Sequence, residues 1–318
     1  MLNVVNERLQ KLFLAIVFCL VTPVLAAQPL PVVASFSILA DMVREVGGPH
    51  IEVTSLVGPN TDSHVFNPTP ADAKRIASAR LVFVNGLGFE GWLDRLVKAS
   101  GYRGPIVIAS KGVKSPLQLK DDHHHAGASK GHGHQQSHGA PDPHAWQNLA
   151  NAERYVETIR IALAAALPAH SAVFEQRAVD YIKRIRALDQ ATKAQIAAVA
   201  VERRRVITSH DAFGYFAAAY GVTFYPLQGL ATGSEPSAAE VVRVIDLIKK
   251  NKVSAIFTEN ISDPRVLERI AKDSGAKVGG RLYADALTEP GTSADTYLKM
   301  FQHNVTTIVQ GISGKAIE

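Results

Sequence analysis

HSAVFEQRAVDYIKRIRALDQATKAQIAAVAVE, residues 170–202, contains neither glycine nor proline and sets Val173, Phe174, Ala178, Tyr181, Ile182, Ile185 and Leu188 at helical spacing. As one helix it would run roughly 45 Å at about 1.5 Å per residue. The turn-poor stretch starts at Trp146 and reaches Arg203, interrupted only at Leu167-Pro168, where proline ends one helix and starts the next. A helix this long either joins two lobes, limiting their relative motion, or belongs to one of them. The flanking sequence favours the first reading.

From Pro31 onward, short β-branched runs alternate with helical patterns: PVVAS, a helix over Ile38 to Val46, IEVTSLVG, a helix over Ala71 to Ala79, LVFVN, a helix near Phe89 to Lys98, and PIVIAS. Thr69-Pro70-Ala71-Asp72 marks one boundary, with Thr69 as N-cap, proline at the first helical position and an acid in the first turn. A second series follows the long helix: RVITS, Ala212 to Tyr220, TFYPL, Ala238 to Lys249, SAIFTE, Arg265 to Asp273, AKVGG, and a last helix near Ala294 to Ile312. Strand–helix alternation implies parallel sheets covered by helices. The fold class is therefore α/β: two lobes, each a mostly parallel sheet flanked by helices, joined by a long rigid backbone helix. The expected divisions are a signal peptide at 1–26, a first lobe at 27–168, the linking helix at 169–203 and a second lobe at 204–318.

A chain of 318 residues suffices for two such lobes, and 47% hydrophobic with 20% charged residues describes an ordinary globular protein. Arg8 and Lys11, the apolar run Leu12 to Val21 and the small-residue site ending at Ala26 read as an export signal, too short to span a bilayer. The single cysteine, Cys19, lies inside that signal, so any metal site in the mature chain must use His, Asp and Glu. A formal charge of +5, with bases alternating with acids along helices, is a solvated surface and no nucleic-acid footprint.

Six of the twelve histidines, His123, His124, His125, His132, His134 and His138, fall in a Gly-, Ser-, Lys- and Gln-rich stretch within 111–143 that is too polar to pack and is expected to be mobile. His50, His170 and His303 read as surface or helix-end residues. His210 directly follows RVITS, where open α/β sheets bind ligands. His64 occupies the equivalent place after IEVTSLVG, and His144, in Asp142-Pro143-His144, closes the polar stretch before a helix. Asp285, after AKVGG, adds an oxygen donor from the second lobe. Three imidazoles and a carboxylate make a set that zinc accepts. Taken singly, each histidine is more often a satisfied structural residue than a ligand. Asp62 and Asp211 are weaker candidates for orienting a ligand imidazole and read more as turn or capping residues.

GPNTDSHVFNPTPAD (58–72), DPHAWQ (142–147), TSHDAFGYFAAAYG (208–221), FTENISDP (257–264) and LYADAL (282–287) stand in an order that resembles the metal-specific solute-binding proteins of ABC importers, the group with a rigid helix between two lobes. The resemblance covers the mature chain and implies that His64, His144, His210 and Asp285 bind the metal. Manganese-binding members tend to have Glu at the third position and zinc-binding members His, so His210 points to Zn2+, in agreement with the preference of nitrogen donors for zinc. Glu259-Asn260 is closer to manganese and mixed-specificity members and keeps Mn2+ or iron as the alternative cargo. Glu259 itself would orient a ligand imidazole or replace Asp285 as a ligand. The His-rich stretch resembles that of the zinc group and reads either as a low-affinity collector or as a solvated insertion with incidental metal affinity.

The implied partners are a permease and its ATPase, with a periplasmic zinc chaperone counted among the candidates; the chain is expected to be a periplasmic monomer and not an enzyme. The rival from another class is a zinc-dependent hydrolase with Glu259 as general base, which would need an open metal position that four protein ligands do not leave.

Overall fold

Strand pairing is parallel throughout both sheets of the computed structural model, which describes residues 28–119, 139–230, 232–233 and 235–313. The export signal and the six histidines of the polar stretch lie outside the described residues. The first lobe runs β1 (Leu30–Phe36), α1 (Ser37–Gly47), β2 (Ile51–Val57), α2 (Pro70–Ser78), β3 (Leu81–Val84), α3 (Leu93–Ser100) and β4 (Ile106–Ile108), with strand order β2-β1-β3-β4. α4 (Leu149–Ala166) and α5 (Ser171–Ala197) follow. The second lobe runs β5 (Arg205–Thr208), α6 (Gly214–Tyr220), β6 (Thr223–Pro226), α7 (Ala238–Asn251), β7 (Ala255–Glu259), α8 (Arg265–Ser274), β8 (Val278–Leu282) and α9 (Tyr297–Ser313), with order β6-β5-β7-β8.

The long helix links the lobes, with α5 packing on α1 and α4 on one side and on α6 and α9 on the other. It ends at Ala197, and a 3₁₀ turn at Val201–Arg203 leads into β5, so the helix is shorter than the expected span. α2 begins as the sequence indicates: Thr69 and Asp72 form a reciprocal capping box with Pro70 in the first turn. α3 starts later than Phe89. Gly86, Leu87 and Gly88 all have positive φ, and Glu90 turns back to accept the backbone N–H groups of Asn85 and Gly86. Only glycine enters that conformation freely, so the chain cannot become helical until it has passed this turn. α9 likewise starts at Tyr297, after a turn in which the Asp295 carboxylate accepts the Gly291 N–H.

One hydrophobic core is continuous from the first sheet through α4 and α5 to α9 and the inner face of the second lobe, where Phe216, Phe257 and Phe301 join it. A smaller cluster, including Ile207, Val244, Ile256 and Ile270, fills the outer face of the second lobe beneath α7 and α8. Burial shared across the lobe boundary resists separation, because opening the lobes would return apolar area to water. Among the described residues no helix is long and apolar enough to cross a membrane.

Candidate metal centre

Four loops meet at one point. His64 follows β2, His210 stands two residues after β5 and Asp285 follows β8, so these three lie on loops at carboxyl ends of strands, where parallel sheets present ligands. His144 precedes a 3₁₀ turn at Ala145–Gln147 far beyond β4, and Asn85, just after β3, holds its segment at the same end of the first sheet by donating to the Pro143 carbonyl. The donor atoms of the four lie within 4.8 Å of one another. The His64 Nε2 is 3.2 Å from Asp285 Oδ2 and 3.3 Å from His144 Nε2, while Asp285 Oδ2 and Oδ1 lie 3.0 Å from His210 Nε2 and 3.5 Å from His144 Nε2.

Each loop is held by a carboxylate or a lobe-crossing contact. Asp62 and Asp142 sit two residues before their histidines, and the Oδ1 of each accepts the histidine's backbone N–H, at 2.7 and 2.9 Å. Asp142 Oδ1 also lies 2.8 Å from His144 Nδ1. Glu259, at the end of β7, places Oε2 2.6 Å from His210 Nδ1 while its Oε1 accepts the backbone N–H groups of Ser209 and His210. Asp285 is placed through its neighbour: Trp146 Nε1 and Gln147 Nε2, next to His144, both donate to the Ala284 carbonyl. The indole of Trp92 donates to the Ser63 carbonyl and anchors the His64 loop from below.

Glu259 thus faces the far side of the His210 ring, with both oxygens committed, and does not converge with the four donors as a replacement for Asp285 would. Nor does it face the centre as a general base. The role of Asp142 was not visible in the sequence reading, although the repeated Asp-x-His spacing at 62–64 and 142–144 carries the signal, an Asp that closes a turn on the amide two residues on.

Burial makes the centre electrostatically demanding. His144, His210, Asp285 and Glu259 are all buried. Burial alone would lower the His210 pKa, but Glu259 and Asp285 outweigh it and hold the ring well above the usual imidazole range. Burial alone would raise Asp285, yet the imidazoles of His210 and His144 hold its carboxyl well below the usual carboxylate range. The two Asp285 oxygens and His210 Nε2 are buried and, among the described residues, have no polar partner outside this cluster. Buried polar atoms left so, pointed at a common centre, fit a cation that all of them would touch.

The family model described as ZnuA, zinc-uptake complex component A periplasmic, matches residues 32–311, and the chain belongs to this family. It is 31% identical over 292 residues to the manganese-binding lipoprotein MntA of Bacillus subtilis strain 168, covering 90% of this chain and 91% of the relative. It is 30% identical over 285 residues to the iron-binding protein YfeA of Yersinia pestis, covering 90% and 87%. The solved structure of the periplasmic zinc binding protein TroA from Treponema pallidum superposes with a TM-score of 0.80 at 28% identity, covering 90% of this chain and 99% of that one.

Proposed function

We propose that this chain is the exported metal-capturing subunit of an ABC importer, and that its cargo is zinc, held by His64, His144, His210 and Asp285. The observation that carries the reading is the convergence of three imidazole Nε2 atoms and one carboxylate at a buried point. Three nitrogen donors favour zinc over manganese, which prefers oxygen-rich sites and stands lower in the affinity order. The shorter donor separations, 3.0 to 3.5 Å within a set that lies inside 4.8 Å, are near the edge of a tetrahedron with zinc bond lengths, about 3.3 Å for bonds of about 2.0–2.1 Å. The names of the relatives, which print manganese, iron and zinc, support a metal cargo and leave its identity to the donor set.

Capture of the cation exchanges protons for metal. Asp285 supplies the carboxylate that His210 and His144 hold in its ionised form, and the metal competes at His210 with the proton that Glu259 and Asp285 favour. Asp142 and Glu259 keep a proton on Nδ1 of His144 and His210, so that Nε2 presents its lone pair to the centre. Four protein donors leave no coordination position for a reacting water, which suits holding and handing over an ion. The sequence features of export support a periplasmic location for this step, with a permease and its ATPase as the receiving partners.

Competition titration of the mature chain with zinc and manganese, with His210→Ala alongside, tests the reading. One equivalent of zinc that excess manganese does not displace, lost in His210→Ala, is expected. Preferential retention of manganese would move the cargo to manganese, and failure to bind either metal tightly would end the proposal.

A further inference from the structure

The four donors are not equally enclosed. The side chains of His144, His210 and Asp285 are at most 1% exposed, whereas that of His64 keeps 12%. Among the described residues, the centre is therefore most open to solvent at His64. The loop that carries His64 is fixed on its inner side by the Trp92 indole on the Ser63 carbonyl, a contact within the first lobe. On its outer side the fixing group is Asp62, whose carboxylate is divided between the lobes. Its Oδ1 accepts the His64 backbone N–H at 2.7 Å, and its Oδ2 accepts the Thr232 hydroxyl of the second lobe at 2.6 Å. Beside this bridge the half-exposed Val65 packs against Gly233, close enough that a Cβ at 233 would sit 3.1 Å from Val65 Cγ1.

Building on the metal-capture reading above, we propose that the Asp62–Thr232 hydrogen bond is a latch on the His64 loop that sets the rate of metal release, with His64 the first ligand to leave. A hydroxyl donating to a carboxylate is among the stronger hydrogen bonds, and this one ties the most exposed ligand to the opposite lobe. Breaking it removes the lobe-crossing tie nearest His64, leaving the Asn60 N–H on the Leu287 carbonyl, while the buried ligands keep their carboxylate and backbone supports. A membrane partner that drew the Thr232 loop away from Asp62 would thereby open the exit without unpacking the shared core.

The test is the rate at which a chelator strips zinc from the loaded full-length mature chain. Thr232→Val, which keeps the side-chain shape and removes the donor, is expected to release zinc about tenfold faster and to weaken affinity in proportion, with an association rate within about twofold of the parent. Thr232→Ser, which restores the hydroxyl, is expected to release at the parent rate. Release from Thr232→Val at the parent rate, or from Thr232→Ser as fast as from Thr232→Val, would overturn the latch while leaving metal capture standing. An unmodified chain that binds no zinc in the preceding equilibrium titration would overturn both.

Discussion

Two carboxylates outside the donor set, Asp142 and Glu259, decide which ring nitrogen of His144 and His210 meets the metal. Replacing Asp142 by Asn keeps the acceptor for the backbone and weakens the hold on the ring; zinc affinity measured by chelator competition is expected to fall about 10- to 100-fold, with the fold intact by circular dichroism. The pH dependence has a definite sign. Because Glu259 and Asp285 raise the His210 pKa in the metal-free protein, zinc competes with a proton for this ring. Apparent affinity is therefore expected to rise with pH through neutrality, with about one proton released per zinc in calorimetry repeated in buffers of different ionisation enthalpy. An unperturbed imidazole would place this loss of affinity at about pH 6.5. The structure moves it upward, since Glu259 and Asp285 both face the ring, a coupling between positions far apart in the chain.

At the scale of elements, the helices most readable in the sequence are those with local chemistry at their ends, such as Thr69-Pro70-Ala71-Asp72 for α2. Those misplaced by a few residues, α3 and α9, begin after turns closed by Glu90 and Asp295, whose side chains fold back on earlier amides. The contact between α1 and α9 illustrates what periodicity cannot show. Asp41 is a buried acid on α1 that accepts the Tyr297 N–H at the start of α9, and burial pushes its pKa up to about 7. A folded-state pKa above the unfolded value of 3.8 means that the fold prefers the protonated acid, so stability contributed here is full below 3.8 and lost as pH rises to about 7. Asp41→Asn is accordingly expected to raise the melting temperature at pH 8 and to change it little at pH 4, the gain being at most about 4 kcal/mol at about 1.4 kcal/mol per unit. Equal effects at both pH values would show that the charge of Asp41 is not what matters.

For the whole molecule, the two-lobe α/β plan and its joining helix were legible because strand–helix alternation and a turn-free apolar stretch are local patterns. The meeting of the lobes was not. Trp146 reaches Ala284, Tyr297 donates to the Trp146 carbonyl and Leu287 accepts the Asn60 N–H, and such pairings have no signature in one sequence. Together with the continuous core they make wide hinge closure unfavourable. Small-angle scattering of metal-free and zinc-loaded protein is expected to give radii of gyration that agree to about 1 Å, the scale of small shifts and not of domain closure. A larger change would mean that the shared core opens in the metal-free state.

The claim on which the rest depends is that three imidazoles and one carboxylate hold a single ion, and X-ray absorption at the zinc edge reads this directly on protein loaded with one equivalent. The expected spectrum is four-coordinate, with three imidazoles and one oxygen ligand at about 2.0–2.1 Å and one imidazole fewer in His210→Ala. A six-coordinate, oxygen-dominated shell, or a parent spectrum with fewer than three imidazoles, would contradict it.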